Sequence, residues 1–270
     1  MNTLIIAILS ITLIGAFCAA LLSIASKVMH VEVDPRITQV NDILPGTNCG
    51  ACGFPGCAGY ASAIVEDPST KTNLCTPGGA SVVSQISDIM GVVGEEVISK
   101  LAVIHCGGDK DAQQKKMEYT GIPTCIAATG VYRGENACGY GCLGYGDCLS
   151  ICPENALCMV DGLPRVNRSL CTGCGLCVAA CPHQLITIQN SNWRTFVTCK
   201  NIEKGAVARK KCTRSCIGCT RCAKECPQKA ILVENNLATI DGEKCNDCGH
   251  CVTLCPTKCI ISYCEPISQT

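Results

Sequence analysis

Residues 4 to 26, LIIAILSITLIGAFCAALLSIAS, are apolar and carry no charge. A run of that length predicts a helix able to cross the roughly 30 Å hydrocarbon core of a bilayer. A cleaved signal peptide would open with Lys or Arg and carry a shorter apolar stretch, whereas only MNT precedes this one. Bulky Phe17 ahead of Cys18 speaks against a lipoprotein cleavage site, and Cys18 reads as a small residue facing lipid or another helix. Lys27 and Arg36 follow the run, which by the positive-inside rule leaves the rest of the chain in the cytoplasm. Further on, Tyr60, Ile64 and Val65 share one helical face. Val82, Val83, Ile86, Ile89, Met90, Val93, Val97 and Leu101 recur at helical spacing over residues 81 to 104. Both stripes read as core packing, and Met90 receives no cofactor role.

No other long apolar run follows, and composition changes the picture at this point. The 270 residues are 47% apolar with zero formal charge, which suggests an ordinary soluble protein, but the apolar count includes 28 cysteines. Only three Phe and one Trp are present, so each globular part has a thin core of the kind that metals or crosslinks must reinforce. The cysteines are ordered. A shift of 74 residues carries Cys125, Cys138, Cys142, Cys148 and Cys152 onto Cys199, Cys212, Cys216, Cys222 and Cys226, and Cys171, Cys174, Cys177 and Cys181 onto Cys245, Cys248, Cys251 and Cys255. Nine coincidences at one offset mark a duplication. Inside it, C-x2-C-x2-C-x3-C-P occurs at 171 to 182, 216 to 227 and 245 to 256, the ligand run of bacterial ferredoxins.

In that run three thiolates hold one [4Fe-4S] cube, and the fourth, placed by the turn before proline, ligates the other cube of the pair. The rule assigns Cys216, Cys219, Cys222 and Cys255 to one cluster of the second repeat, and Cys226, Cys245, Cys248 and Cys251 to the other. In the first repeat it assigns Cys152, Cys171, Cys174 and Cys177 together. The leading run there departs from the pattern, because Tyr145 stands where Cys219 would fall; Cys138 is the substitute, giving Cys138, Cys142, Cys148 and Cys181. A further set, Cys49, Cys52, Cys57 and Cys75, lies in and beyond a Gly-rich loop, where glycine permits close approach to a bulky cluster. The expected cofactors are therefore five [4Fe-4S] clusters. A disulfide scaffold fits short secreted chains better. Structural zinc, which would require neither the third cysteine nor the proline, stays open chiefly for the 49 to 75 loop.

Eight cysteines remain outside these sets. Cys158 aligns with Leu232 and Cys259 with Leu185, so both read as buried apolar positions. Cys125 and Cys199, equivalent by the 74-residue shift, either pack beneath clusters or act as alternative ligands, with packing preferred. Cys18, Cys106, Cys212 and Cys264 receive no role in iron binding. Gly139, Gly141 and Gly144 match G-x-G-x-x-G but follow no apolar strand, so a dinucleotide site is not expected. The Asn167-Arg168-Ser169 sequon would lie on the cytoplasmic side. His30, His105, His183 and His250 form no catalytic or metal pair. Charge is unevenly spread: residues 194 to 229 hold ten Lys or Arg against Glu203 and Glu225, a local +8, while 1 to 193 sum to −5 and 230 to 270 to −3. Such a patch steers an acidic partner, and Arg209, Lys210 and Lys211 are the expected docking residues, near the cluster of Cys216, Cys219 and Cys222.

The apolar leader, VEVDPRITQVNDILPGTNCGACGFPGCAGYA, AVIHCGG at 102 to 108 and the cysteine repeats come in an order that resembles the B subunit of the Rnf complex over nearly the whole chain. The 49 to 75 module is also similar to the small iron-sulfur domain of corrinoid iron-sulfur proteins. The resemblance implies an electron-transfer subunit of a membrane-bound, ion-translocating ferredoxin:NAD oxidoreductase. It would take electrons from reduced ferredoxin and work with other membrane and flavin-containing subunits, without nucleic acid and without a self-contained active site. The related complex that keeps an oxidative-stress regulator reduced, and a cluster-stabilised scaffold, are the alternatives. The expected fold is α+β: a transmembrane anchor at 1–26, a linker and single-cluster helical domain at 27–120, and tandem bacterial-type 2[4Fe-4S] ferredoxin repeats at 121–193 and 194–270. Two repeats in one chain depart from shorter family members, so their cluster count does not carry over.

Overall fold

The computed structural model describes residues 2–28, 34–94 and 99–263. Helix α1 (Asn2–Val28) leads the chain, and the described apolar side chains on it, Ile11, Leu13 and Leu22 among them, are exposed. Among the described residues no helix is long and apolar enough to cross a membrane, so the span expected at residues 4 to 26 is not carried by the structure.

Three helices make the next unit: α2 (Pro35–Ile43), α3 (Gly56–Glu66) and α4 (Gly79–Met90). Asp34 starts α2 by accepting the Arg36 N–H, with Pro35 in the first turn where its missing N–H costs nothing. The helices bury Val40, Leu44, Tyr60, Ile64, Val82 and Ile86 around Cys75. The Tyr60 hydroxyl donates to Lys71 O at 2.8 Å and accepts from Leu74 N–H at 3.2 Å, pinning the strap that delivers Cys75. The apolar stripe read as one helix over 81 to 104 is divided. Gly91 ends α4 in the left-handed conformation, Val97 lies outside the described residues, and Leu101 belongs to β1 (Lys100–Ile104).

From β1 onward one order of elements occurs twice. The first pass is β1, α5 (Cys125–Thr129), α6 (Asp147–Ser150), β2 (Leu157–Val160), β3 (Leu163–Val166), α7 (Leu176–Ala180) and β4 (Ile186–Asn190). The second is β5 (Thr195–Val197), α8 (Gly205–Lys211), α9 (Arg221–Lys224), β6 (Ile231–Glu234), β7 (Leu237–Ile240), α10 (His250–Leu254) and β8 (Ile260–Ser262). In each, the outer strands pair antiparallel, β1 with β4 and β5 with β8, and the inner strands form a hairpin. Asp161-Gly162 and Asn235-Asn236, all at positive φ, make the two hairpin turns, the turn chemistry that matches strand twist. Gly144 and Gly218, also at positive φ, press against those turns; a Cβ would come within 2.8 Å of Gly162 O and 3.0 Å of Asn236 Cα.

Strand β1 lies ahead of residue 121, inside the segment read as the single-cluster domain, yet it completes the first repeat. It is buried on both faces. Ala102 and Ile104 join Leu157, Leu163 and Ile186 in the first core, while Leu101 and Val103 pack on Phe196 of β5. The repeats thus meet back to back through their outer strands. His105 latches the seam, bonded to Val197 O and Thr187 Oγ1 at 2.8 Å each. Burial holds its imidazole below the ordinary range and therefore neutral.

Candidate iron-sulfur sites

All described cysteines are free thiols. In the helical unit the Gly-rich loop is shaped by Asn48, whose Oδ1 accepts the Cys57 N–H at 2.9 Å. Cys75 is buried, and burial raises its thiol, with Cys57, Cys52 and Cys49 near enough to add to the effect. Of the four cysteines expected to act together there, Cys52, Cys57 and Cys75 pack in one core.

Four clefts in the repeats each gather a set of four cysteines, one of them with Cys259 as a fifth. Cys152, Cys171, Cys174 and Cys177 share one; Cys216, Cys219, Cys222 and Cys255 another; Cys226, Cys245, Cys248 and Cys251 a third. These are the sets that the spacing rule assigns. The fourth differs: it is lined by Cys125, Cys142, Cys148 and Cys181, and Cys138 is absent from it. The cause lies in a loop. Cys106 follows β1 as Cys199 follows β5, and their backbones are equivalent: His105 N–H donates to Leu185 O and Thr198 N–H to Cys259 O, both at 2.7 Å. Cys106 to Cys138 is 32 residues but Cys199 to Cys212 is 13, so the first repeat carries 19 extra residues, and Cys125 lies in them. Asp147 anchors that loop by accepting the N–H groups of Cys125 and Ile126 at 2.8 and 3.1 Å. Cys125 thus stands where Tyr145 leaves a thiol missing, and it is not the counterpart of Cys199. Cys138 lies instead beside Cys106, Cys199 and Cys212.

The clefts fit a cubane. Each holds the four thiols of its set beside apolar side chains: Ile104, Leu185 and Ile186 in the cleft of Cys125, Val233 and Ile260 in that of Cys216, Ala102 and Ile188 in that of Cys171, and Ile231 in that of Cys245. Among the described residues no three Cys, His, Asp or Glu side chains converge closely enough for a single metal ion. Burial raises the thiols of Cys148, Cys222 and Cys251 to about 11 and Cys177 to about 12. They are neutral without metal and lose their protons on ligation. Backbone N–H groups reach several sulfurs: Ala102 to Cys171 and Ala156 to Cys152 at 3.4 Å, Leu185 to Cys181 at 3.3 Å. Cys259 is buried as expected, but in contact with a ligand set. Its thiol lies 3.5 Å from Cys255 Sγ, and hydrogen bonding with Cys259 draws the Cys216 and Cys255 thiols below their ordinary range. Cys158, read as buried, is exposed, as is Leu232; the alternation of the hairpin strands turns both outward. Cys264 lies outside the described residues.

Family comparisons agree with this arrangement. Residues 44–77 match a "Putative Fe-S cluster" family, 170–230 and 215–259 match "4Fe-4S dicluster domain", and 146–192 match "LdpA Fe-S cluster-binding domain". The B subunit of the Na⁺-translocating ferredoxin:NAD⁺ oxidoreductase complex of Acetobacterium woodii is 43% identical over 88% of this chain and 72% of its own length. The B subunit of the proton-translocating complex of Clostridium ljungdahlii is 42% identical over 96% and 93%. The B subunit of the ion-translocating oxidoreductase complex of Methanosarcina acetivorans is 40% identical over 92% and 94%. The chain belongs to the family of Rnf B subunits. Two relatives of nearly equal identity are named for different ions, so overall similarity within this family does not set the ion.

Proposed function

We propose that the chain is the electron-transfer subunit of an ion-translocating ferredoxin:NAD⁺ oxidoreductase, taking electrons from reduced ferredoxin and relaying them to its partner subunits. The observation that carries this reading is the repeated grouping of four cysteines around apolar clefts in a chain akin to the Rnf B subunits. A bound [4Fe-4S] cluster supplies reversible one-electron chemistry without moving an atom. The residues do the rest: thiolates hold the cubes, peptide N–H groups donate to the sulfurs, and Ile, Leu and Val side chains exclude water. Five sets are proposed as iron ligands: Cys49, Cys52, Cys57 and Cys75; Cys125, Cys142, Cys148 and Cys181; Cys152, Cys171, Cys174 and Cys177; Cys216, Cys219, Cys222 and Cys255; and Cys226, Cys245, Cys248 and Cys251. Stopped-flow mixing of anaerobic protein with reduced ferredoxin tests the function. Reversible bleaching of the visible absorbance is expected, whereas iron that is bound but never reduced would make the clusters structural.

The donor is proposed to dock on the second repeat. Cys219 and Cys248 are exposed there, and no assigned thiol of the first repeat is. Arg209 and Lys210, at the end of α8, are also exposed, while Lys211 is engaged with Glu203. Arg209→Glu combined with Lys210→Glu should slow reduction by ferredoxin several-fold and flatten its salt dependence, with dithionite reduction unchanged. Residues 4 to 26 are proposed as a single-pass anchor with the iron-sulfur units on the cytoplasmic side, because the exposed apolar surface of α1 needs lipid or protein to cover it. Deleting residues 1 to 26 should release a brown, redox-active protein from the membrane; a colourless product would make α1 part of the fold.

A further inference from the structure

One cleft remains that no motif describes. It lies at the seam of the repeats and is lined by Cys106, Cys138, Cys199 and Cys212, with Asn201, Ser215 and Gln113 around them. Each repeat contributes an equivalent pair: the cysteine that follows its outer strand, and the cysteine at the 74-residue register. Three of the four are buried, and the cleft is enclosed by structure from both sides. Gln113 bridges to Cys212, and Thr213 N–H donates to Ala112 O at 3.0 Å.

We propose that Cys106, Cys138, Cys199 and Cys212 hold a sixth [4Fe-4S] cluster, which joins the two ferredoxin repeats into one conductor. The cleft has the donor set of the other sites: four cysteine thiols, with no three described Cys, His, Asp or Glu side chains close enough for a lone ion. Donors to cluster sulfur are in place. Asn201, fully buried, directs its Nδ2 at Cys138 Sγ, 3.5 Å away, and its N–H at Cys199 Sγ, 3.4 Å away. The Ser215 hydroxyl is buried at the cleft without a hydrogen-bond partner among the described residues, the situation of a group that awaits an acceptor. The four positions carry no C-x2-C spacing, which is why sequence motifs pass over them.

Position gives this site its role. Cys142 N–H donates to Cys106 Sγ, and Cys216 N–H donates to Cys199 Sγ, each at 3.3 Å. Cys142 and Cys216 line the flanking clefts, so one hydrogen bond links the seam to the nearest ligand on either side. Within each repeat the two sites share a core: Cys148 and Cys177 in the first, Cys222 and Cys251 in the second. The seam site lies between these two pairs. Each step oxidises one cluster and reduces its neighbour by one electron, with no proton or bond exchanged.

The inference rests on the iron-sulfur reading of the chain, and the test separates the two. Iron, sulfide and zinc are measured per full-length chain after anaerobic preparation, with cluster number checked by native mass spectrometry. About 24 Fe is expected at four per cluster, falling to about 20 in Cys138→Ser combined with Cys212→Ser, while Cys158→Ser stays at about 24. In the double variant reduced ferredoxin should still reduce the second repeat rapidly, while signals of the first repeat drop out of the fast phase. About 20 Fe in the wild type and no change in the double variant would overturn the sixth cluster alone, as would one zinc beside 20 Fe. A chain with little iron would overturn the iron-sulfur reading as a whole. If the double variant loses far more than four Fe, the wild-type count of 24 or 20 decides.

Discussion

The two repeats lay down the same order of strands and helices, at a 74-residue register from the second helix onward, yet the first shields its assigned ligand thiols and the second shows two of them to solvent. Tyr145 occupies the place of Cys219, and the missing thiol comes from Cys125 on an inserted loop that covers the cleft. Cys174 is half-buried, whereas Cys248, its counterpart, is exposed. Asp147 ties down the loop in one repeat; the matching position in the other is Arg221, within the basic stretch. Leu185 packs in the first core where Cys259 hydrogen-bonds a ligand in the second. Duplication supplied two copies, and an inserted loop with a few substitutions left one with its assigned thiols covered and the other with two of them open to solvent.

The difference can be broken most severely at Cys125. Cys125→Ser should remove about four Fe per chain from the first repeat, and adding Tyr145→Cys, the second repeat's own solution, should restore them. Iron analysis with EPR reads both; failure of the rescue would mean that the loop does more than supply a thiol. A smaller effect is expected at Asp147. Asp147→Ala removes the acceptor for two peptide N–H groups, a loss of about 1.5–3 kcal/mol for bonds to a charged group. The Cys125 site should therefore surrender iron to a chelator faster while the second repeat is unaffected. Smallest is a shift of potential. Cys259→Leu removes a thiol donor worth about 0.5–1.5 kcal/mol, so the cluster of Cys216, Cys219, Cys222 and Cys255 should fall by about 20–60 mV in a one-electron titration. Leu185→Cys should move its counterpart upward.

What the sequence disclosed follows the range of the interactions. Runs such as Cys171, Cys174 and Cys177 are local, so their grouping, and that of Cys152 with them, was legible from spacing alone. Cys125 was not, because its place depends on a loop folding back onto Asp147; the signals available were the thiol missing at Tyr145 and the longer step from Cys106 to Cys138. Cys106 and Cys199 were missed as a pair because their equivalence is set by strand pairing, β1 with β4 and β5 with β8, and not by a constant offset. The reading of 81 to 104 as one helix failed for a related reason. A strand buried on both faces is apolar at successive positions and imitates a helical stripe, and the break is marked by Gly91, which ends α4.

An iron anomalous map from anaerobically grown crystals tests the ligand partition most directly. The account predicts iron beside Cys142, Cys148 and Cys181 with Cys125 as the fourth ligand, and separate iron at the seam bound by Cys138. Iron coordinated by Cys138 together with Cys142, Cys148 and Cys181, with Cys125 free, would contradict it.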